Sequence, residues 1–327
     1  MDRNEQTAKA FAEHIRSRGV RYAIIAARGT SDNAAIYAKY LFETNVGLPV
    51  ALAAPSVLTL YETKLELHDA LVIGVSQSGQ GTDIVEVLRD AREGGALTLA
   101  VTNFADSPLA ENADEVLLCH AGLERSVAAT KTYTTTLAAL AMLVAPLTQD
   151  DALERELKGV PDHIAGVLMT DDEIRAVSER YRYMTDCISV ARGLNQCTAM
   201  EAALKLAETC YLVTHAYSGA DLQHGPIAVV DRGFPCLVFN PEGRAHQQLL
   251  DLTAQLTERG AECLVFANDD AALRSGERGI RLPVNVPERV SPISYIVAAQ
   301  LFAFHLARHR GFDPDHPRGL KKVTRTR

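Results

Sequence analysis

The stretch Leu71-Val72-Ile73-Gly74-Val75-Ser76-Gln77-Ser78-Gly79-Gln80-Gly81-Thr82-Asp83 changes character at residue 76. Five apolar residues without alternation read as a strand buried on both faces. The hydroxyl- and glycine-rich run after them reads as a turn into a helix that stops at Gly94-Gly95. Parallel strands need crossover connections, so a buried strand leading at once into a helix is the unit of a parallel sheet. The same grammar extends in both directions. Residues 7–18 have a helical pattern ending at Gly19, and residues 22–27 read as a strand that enters Arg28-Gly29-Thr30-Ser31-Asp32-Asn33 and a helix through Glu43. A short strand is expected over 49–54, a helix opening at Pro55-Ser56, strands over 97–102 and 115–119, and a long helix over about 128–147. The mixed-charge residues 149–180 read as helices joining two halves.

The pattern then repeats. Ala27-Arg28-Gly29, with a helix carrying Lys39 and Glu43, is echoed by Ala191-Arg192-Gly193 with a helix carrying Lys205 and Glu208. The strand at 71–75, its helix, Gly94-Gly95 and the next strand are echoed by a strand at 236–239, a helix over 247–258, Gly260 and a strand at 263–266. Two copies roughly 160 residues apart predict an α/β chain of two doubly wound, flavodoxin-like parallel-sheet domains from an internal duplication. The expected division is 1–150, 151–316 and a basic tail over 317–327.

A chain of 327 residues exceeds one average core, and 47% apolar with 23% charged residues is ordinary globular composition. The net charge of −8, with the basic residues clustered only at 318–327, speaks against nucleic acid as a partner. An anionic substrate must then be held by local donors. The six cysteines show no C-x-x-C pair, and Cys187, Cys236 and Cys263 sit in strand-like runs, which suggests reduced core thiols in a cytoplasmic protein. Residues 1–9 show no apolar signal segment, and the apolar run over 137–147 is well short of the ~20 residues that span a bilayer. A soluble protein without a membrane partner is expected.

Two clusters carry chemistry. Glu201, Lys205 and Glu208 fall at i, i+4 and i+7 of a predicted helix, so carboxylate, ammonium and carboxylate share a stripe. The bland reading is an exposed salt-bridged stripe. Against it, Met200, Ala203, Leu204, Ala207 and Tyr211 fill the rest of the helix with apolar groups, and the helix follows a strand at 187–191, whose carboxyl end is where ligands gather. His224, before Gly225-Pro226, completes an acid-base set, although a lone histidine there is more often a turn residue. In the first half, Ser76, Gln77, Ser78 and Thr82 with their glycines precede a helix. Simple N-capping accounts for one such serine; several hydroxyls among glycine amides point to an anion seat. The second-half counterpart, Asn240-Pro241-Glu242-Gly243-Arg244, has few hydroxyls. Phosphate is therefore expected in the first half and proton chemistry in the second.

Glu-x-x-x-Lys-x-x-Glu followed by His-Gly-Pro, together with Ser-Gln-Ser-Gly, resembles the isomerase half of glucosamine-6-phosphate synthase, which is built from two sugar-isomerase (SIS) domains. The resemblance runs from about residue 22 to the C-terminus. It implies a phosphate loop at residues 76–82, Glu208 as the base that moves a proton between sugar C1 and C2, Glu201 and Lys205 as bracing and substrate-holding groups, and His224 as the ring-opening group. The last implies a homodimer whose active site is shared between subunits. Gly29, Thr30 and Ser31 in one segment, and Val127 and Ala129 in another, resemble segments that line the sugar pocket; Lys131 is equally readable as a structural partner. The ending Pro317-Arg318-Gly319-Leu320-Lys321-Lys322 is similar to the family's closing segment, in which a lysine forms a Schiff base with the ketose. Lys322 fills that place, with Lys321 beside it, so the tail is expected to fold into the site. No cofactor and no metal are implied.

The synthase carries a glutaminase domain before its isomerase half, and here one helix precedes the first repeat. The expected reaction is therefore the isomerising deamination of glucosamine 6-phosphate by water, and Arg28 to Asp32 and the Gly-Leu-Lys-Lys ending also look like the stand-alone SIS-type deaminases. The synthase pattern has Thr, Ser and Lys where Gly81, Ala129 and Ala207 stand. Other amino-sugar phosphates, glucosamine 6-phosphate synthesis without a glutaminase, a fructosamine-phosphate deglycase reaction and a non-catalytic sugar-phosphate sensor stay open.

Overall fold

The computed structural model describes residues 2–148, 151–283 and 285–322, and the chain divides into two compact units. Within the described residues, unit 1 comprises 2–125, 131–157 and 321–322, and unit 2 comprises 126–130 and 158–320. The halves thus exchange short segments. The break expected near residue 150 falls within unit 1, and the expected tail divides after Leu320. Tail residues 323–327 lie outside the described residues.

Unit 1 runs α1 (Asp2–Ser17), β1 (Tyr22–Ala26), α2 (Thr30–Leu41), β2 (Val50–Leu52), α3 (Ser56–Thr59), β3 (Ala70–Val75), α4 (Thr82–Glu93), β4 (Leu97–Thr102), α5 (Pro108–Glu111), β5 (Glu115–Leu118) and α6 (Lys131–Val144). Helix α7 (Ala152–Leu168) carries the chain onward. Unit 2 continues with α8 (Asp171–Arg180), β6 (Asp186–Ala191), α9 (Gln196–Cys210), β7 (Val213–Ser218), α10 (Gly219–Gln223), β8 (Pro235–Asn240), α11 (His246–Glu258), β9 (Glu262–Ala267), α12 (Asp270–Ser275), β10 (Arg278–Arg281) and α13 (Ser291–His309).

The two sheets are ordered β2-β1-β3-β4-β5 and β7-β6-β8-β9-β10, with every neighbouring pair parallel. Read in that direction, the orders are the same, which establishes the duplication. Both sheets reverse winding at one place, between β1 and β3 in unit 1 and between β6 and β8 in unit 2. Such switch points open a crevice at the carboxyl ends of the strands.

Why these strands sit centrally follows from their composition. Each of β3, β4 and β8 is buried at all positions, as an unalternating apolar run requires when helices cover both faces. Val72, Ile84, Leu88 and Leu109 close one core under α4, and Val190, Val238, Leu249, Leu252 and Val265 close the matching core under α11. Burying each such side chain contributes about 1.5–3 kcal/mol. On the opposite faces, α6 packs on α1 and α2, and α13 packs on α8 and α9. The helix expected over 128–147 is shorter at both ends, because Ser126–Thr130 joins unit 2 and a 3-10 turn takes over at Ala145–Leu147. Helix α2 stops at Leu41, and a π turn over Phe42–Val46 carries Glu43.

The six cysteines are buried and free of disulfides. Burial pushes the Cys187 thiol up to about 12, which leaves it an inert core group at neutral pH. Among the described residues, no helix is long and apolar enough to cross a membrane.

Candidate active site

The switch point of unit 1 is built from two turns. One follows β1: Gly29, at φ 53° and ψ −127°, takes a backbone shape open to glycine, and Ser31 and Asp32 donate their amides back to Arg28 and Gly29. The other follows β3. Its fulcrum is Gly79, at φ +63°, where an added Cβ would stand 2.2 Å from Ser107 Oγ. That close approach lets Gly79 accept the Leu109 amide at 3.1 Å and fixes loop 76–81 against α5. Helix α4 begins after Gly81 with no side-chain cap, so its first turn keeps the positive end of the helix dipole for a ligand.

These turns enclose a cavity of about 350 Å³ lined by Arg28, Gly29, Ser31, Ser76, Gln77, Ser78, Gly81, Asp83 and Lys322, among others. Gly29, Ser31, Ser76, Gln77, Ser78 and Lys322 were singled out from sequence, and the fold brings them together. Thr82 stands apart: it is exposed as the first residue of α4 and does not line the cavity, and neither does Thr30. Lys321 is exposed. Sequence reading missed Asp83, which is 1% exposed and holds Arg28 Nε at 2.8 Å. An acidic residue in the first turn of a helix reads as ordinary dipole compensation, and its partner lies 55 residues away.

In unit 2, α9 inverts the usual amphipathic arrangement. The charged stripe is the buried face: Glu201 is 0% and Lys205 2% exposed, whereas Ala207 is exposed and Leu204 half-buried. Lys205 Nζ lies 3.3 Å from Glu201 Oε1 and 2.5 Å from Glu208 Oε2. Burial pushes the ammonium toward its neutral form, but the two carboxylates outweigh it and hold its pKa above the ordinary lysine value. Glu208, 24% exposed, is the member of the row that meets solvent. Its position differs from the expectation that the row sits by the carboxyl end of β6. Glu208 is twelve residues into α9, about 18 Å along the helix from Gln196, and so lies toward the end of α9 that leads into the start of β7.

Three residues beyond Glu208, Tyr211 ends α9 in the left-handed conformation at φ 57° and anchors the last part of unit 2. Its hydroxyl accepts the Arg318 amide at 2.9 Å, its ring lies 4.0 Å from the Arg318 guanidinium, and Phe312 packs against it with centroids 4.8 Å apart. The Val127 amide and the Ser126 hydroxyl donate to the carbonyls of Asp315 and Pro314. Val127 is thereby tied to the segment that leads into the tail, and Ala129 is half-buried nearby in sequence. His224 lies on an exposed turn at the end of α10. The unit 1 counterparts of Lys205 and Glu208 have another job. Lys39 donates to Glu43 and to the Val50 carbonyl at 2.8 Å, while Glu43 accepts the Val50 amide, so the pair clamps edge strand β2. Among the described residues, no cluster of metal-ligating side chains occurs.

A duplicated sheet with a hydroxyl-lined switch point in one copy and a buried acid-lysine row in the other defines a class, and the chain belongs to the SIS domain family, which matches residues 18–146 and 187–310. Among relatives, it is 35% identical to the isomerising glutamine–fructose-6-phosphate aminotransferase of Thermococcus kodakarensis over 333 residues, covering 98% of this chain and 54% of that protein. The chain spans about half the length of the curated relatives it matches. Of solved structures, one from Silicibacter pomeroyi DSS-3 assigned to the phosphosugar isomerases is 36% identical, with a TM-score of 0.86 over 96% of this chain and 94% of that one. The C-terminal domain of glucosamine-fructose-6-phosphate aminotransferase from Francisella tularensis is 29% identical, with a TM-score of 0.86 over 95% and 90%.

Proposed function

We propose that this chain is a sugar-phosphate isomerase acting on an amino sugar, converting glucosamine 6-phosphate and water to fructose 6-phosphate and ammonia. The carrying observation is the buried row in α9, in which Lys205 is held between Glu201 and the partly exposed Glu208. A partly exposed carboxylate fixed on a rigid helix by an ammonium is placed to take a proton from carbon. In this reading His224 assists ring opening, and Glu208 removes the proton on C2 of the open-chain aldehyde. The electron pair of that C–H bond becomes the C1–C2 double bond of an enolamine as the aldehyde oxygen gains a proton. Return of the proton to C1 leaves an imine at C2, and water adds there and expels ammonia. Loop 76–81 takes the phosphate, and Lys322 serves the open-chain carbonyl.

The direction rests on the resemblance of Arg28 to Asp32 and of the Gly-Leu-Lys-Lys ending to stand-alone deaminases. The identity to isomerising aminotransferases favours a second reading, glucosamine 6-phosphate synthesis from fructose 6-phosphate and ammonia. The test is to incubate the chain with glucosamine 6-phosphate and measure ammonia and ketose phosphate. Release of both in equal amounts, abolished in Glu208→Gln, is expected. Saturable binding without product would instead favour a sugar-phosphate sensor. Exposure of His224 accords with a second copy using it. Mixing the inactive variants Glu208→Gln and His224→Ala should then restore turnover, and an inactive mixture would refute sharing between subunits.

A further inference from the structure

We infer that Arg28 is a phosphate ligand of the unit 1 cavity, positioned by Asp83, and that it sets the preference for phosphorylated over unphosphorylated sugars. This rests on the reading of that cavity as the phosphate seat.

The cavity is lined by serine hydroxyls, glycine backbone, Lys322 and the ion pair of Arg28 and Asp83. A buried carboxylate in the wall of an anion site is unfavourable unless something cancels it. Asp83 is 1% exposed and has its two oxygens assigned: Oδ1 accepts the Ile84 amide at 3.0 Å, and Oδ2 takes Arg28 Nε at 2.8 Å. Its role toward Arg28 is geometric. A guanidinium held through Nε keeps its two Nη groups together as a fork, and that fork matches two oxygens of a phosphate. The Arg28 side chain is 53% exposed, so it reaches open space from a tethered base. Gly29 next to it turns the chain through a conformation closed to other residues, which fixes where Arg28 starts.

Charge decides the matter. Arg28 offsets the single carboxylate of Asp83, so the serine hydroxyls and the first turn of α4 face a phosphate without a net negative wall against them. The chain's overall charge of −8 gives no help from a distance. Position 81 adds to the need: it is a glycine where the resembled pattern has a threonine hydroxyl, so the loop has one donor fewer. Arg28 supplies the missing donors.

Asp83 is a positioning residue, and the two roles separate by experiment. Titration calorimetry of the full chain with inorganic phosphate, fructose 6-phosphate and fructose reads the first. Arg28→Ala should weaken both phosphate-bearing ligands by about 30-fold, the size of a lost charge-assisted bidentate contact, and leave fructose unchanged. Arg28→Lys keeps the pairing with Asp83 and hence the fold, but loses the fork, and should weaken them about tenfold. Asp83→Asn should raise KM for the sugar phosphate several-fold with kcat within twofold, because a phosphate handle is gripped alike in ground and transition states. A merely structural Asp83 would lower thermal stability without changing the preference for phosphate. Unchanged phosphate affinity in folded Arg28→Lys and Arg28→Ala overturns the assignment. A wild-type chain that binds no phosphate ester overturns both this inference and the phosphate seat. Phosphate binding that depends on Arg28 in a chain releasing no ammonia sinks the deaminase reading and leaves Arg28 in place.

Discussion

Replacing Lys205 by Met removes one charge and almost no volume, and it isolates the electrostatics of the α9 row. At an effective dielectric near 20, a contact of 3.3 Å to Glu201 amounts to about 5 kcal/mol of Coulomb attraction, and the contact to Glu208 is shorter. Desolvation of the ions opposes this by several kcal/mol each, so the intact row contributes little net stability. Breaking it is another matter. Glu201 is 0% exposed, and without Lys205 it is a buried carboxylate with its nearest cation gone. The expected loss is about 3–5 kcal/mol. With a urea slope of ~2 kcal/mol per molar for a unit of this size, the midpoint of unit 2 should fall by roughly 1.5–2.5 M. Equilibrium urea unfolding followed by circular dichroism, fitted to two transitions for the two units, measures it. The double variant Glu201→Leu, Lys205→Met removes both charges and should recover most of the loss. A shift below about 0.3 M in Lys205→Met, or no recovery in the double variant, would refute the claim that the buried row is a coupled charge system.

The sign of the pH response follows from the same row. Lys205 has its pKa raised above 10.5, so its stabilisation is complete below that pH and is lost as pH rises through the folded value. Thermal melts between pH 9 and 11.5 should show this alkaline limb in the wild type and lack it in Lys205→Met (roughly this window, from the unperturbed lysine value). Gly79→Ala should destabilise unit 1 by about 2–3 kcal/mol, from left-handed strain and from displacing the Ser107 cap of α5; a melt within 0.5 kcal/mol of wild type (about the scatter of neutral changes) counts against the close approach described. Tyr211→Ala removes the acceptor, the ring under Arg318 and the partner of Phe312 together. Limited trypsin cleavage at Arg318 should accelerate at least about tenfold, and an unchanged rate would mean the tail is anchored elsewhere.

Much of this architecture could be read from residues alone because the central strands announce themselves. The runs at β1, β3, β8 and β9 are largely apolar without alternation, β4 interrupts its run only with Thr98 and Thr102, and their turns follow at once. Strand β7 was missed because Val-Thr-His-Ala-Tyr-Ser carries mixed polarity on an edge, and β10 because Arg-Gly-Ile-Arg offers one buried apolar residue. Helix α13 escaped for the opposite reason: it is buried nearly all round, so it lacks the apolar stripe by which a surface helix is recognised. At the site, loop 76–81 was legible because glycine and serine before a helix have a direct physical meaning. The pairing of Arg28 with Asp83 was not, since register between distant turns is set by packing. The echo of Lys205 and Glu208 in Lys39 and Glu43 marks the duplication and carries no role with it; the backbone of β2 reveals that the earlier pair is a clamp.

The exchange of short segments between the halves bears on how the polypeptide matures. Residues 126–130 leave the ribosome before the unit they join has been synthesised, and Lys322 reaches the cavity of the earlier half only after unit 2 has emerged. Vectorial folding would therefore leave the cavity of unit 1 without Lys322 until unit 2 has emerged, so the earlier half can form its sheet well before its cavity wall is complete.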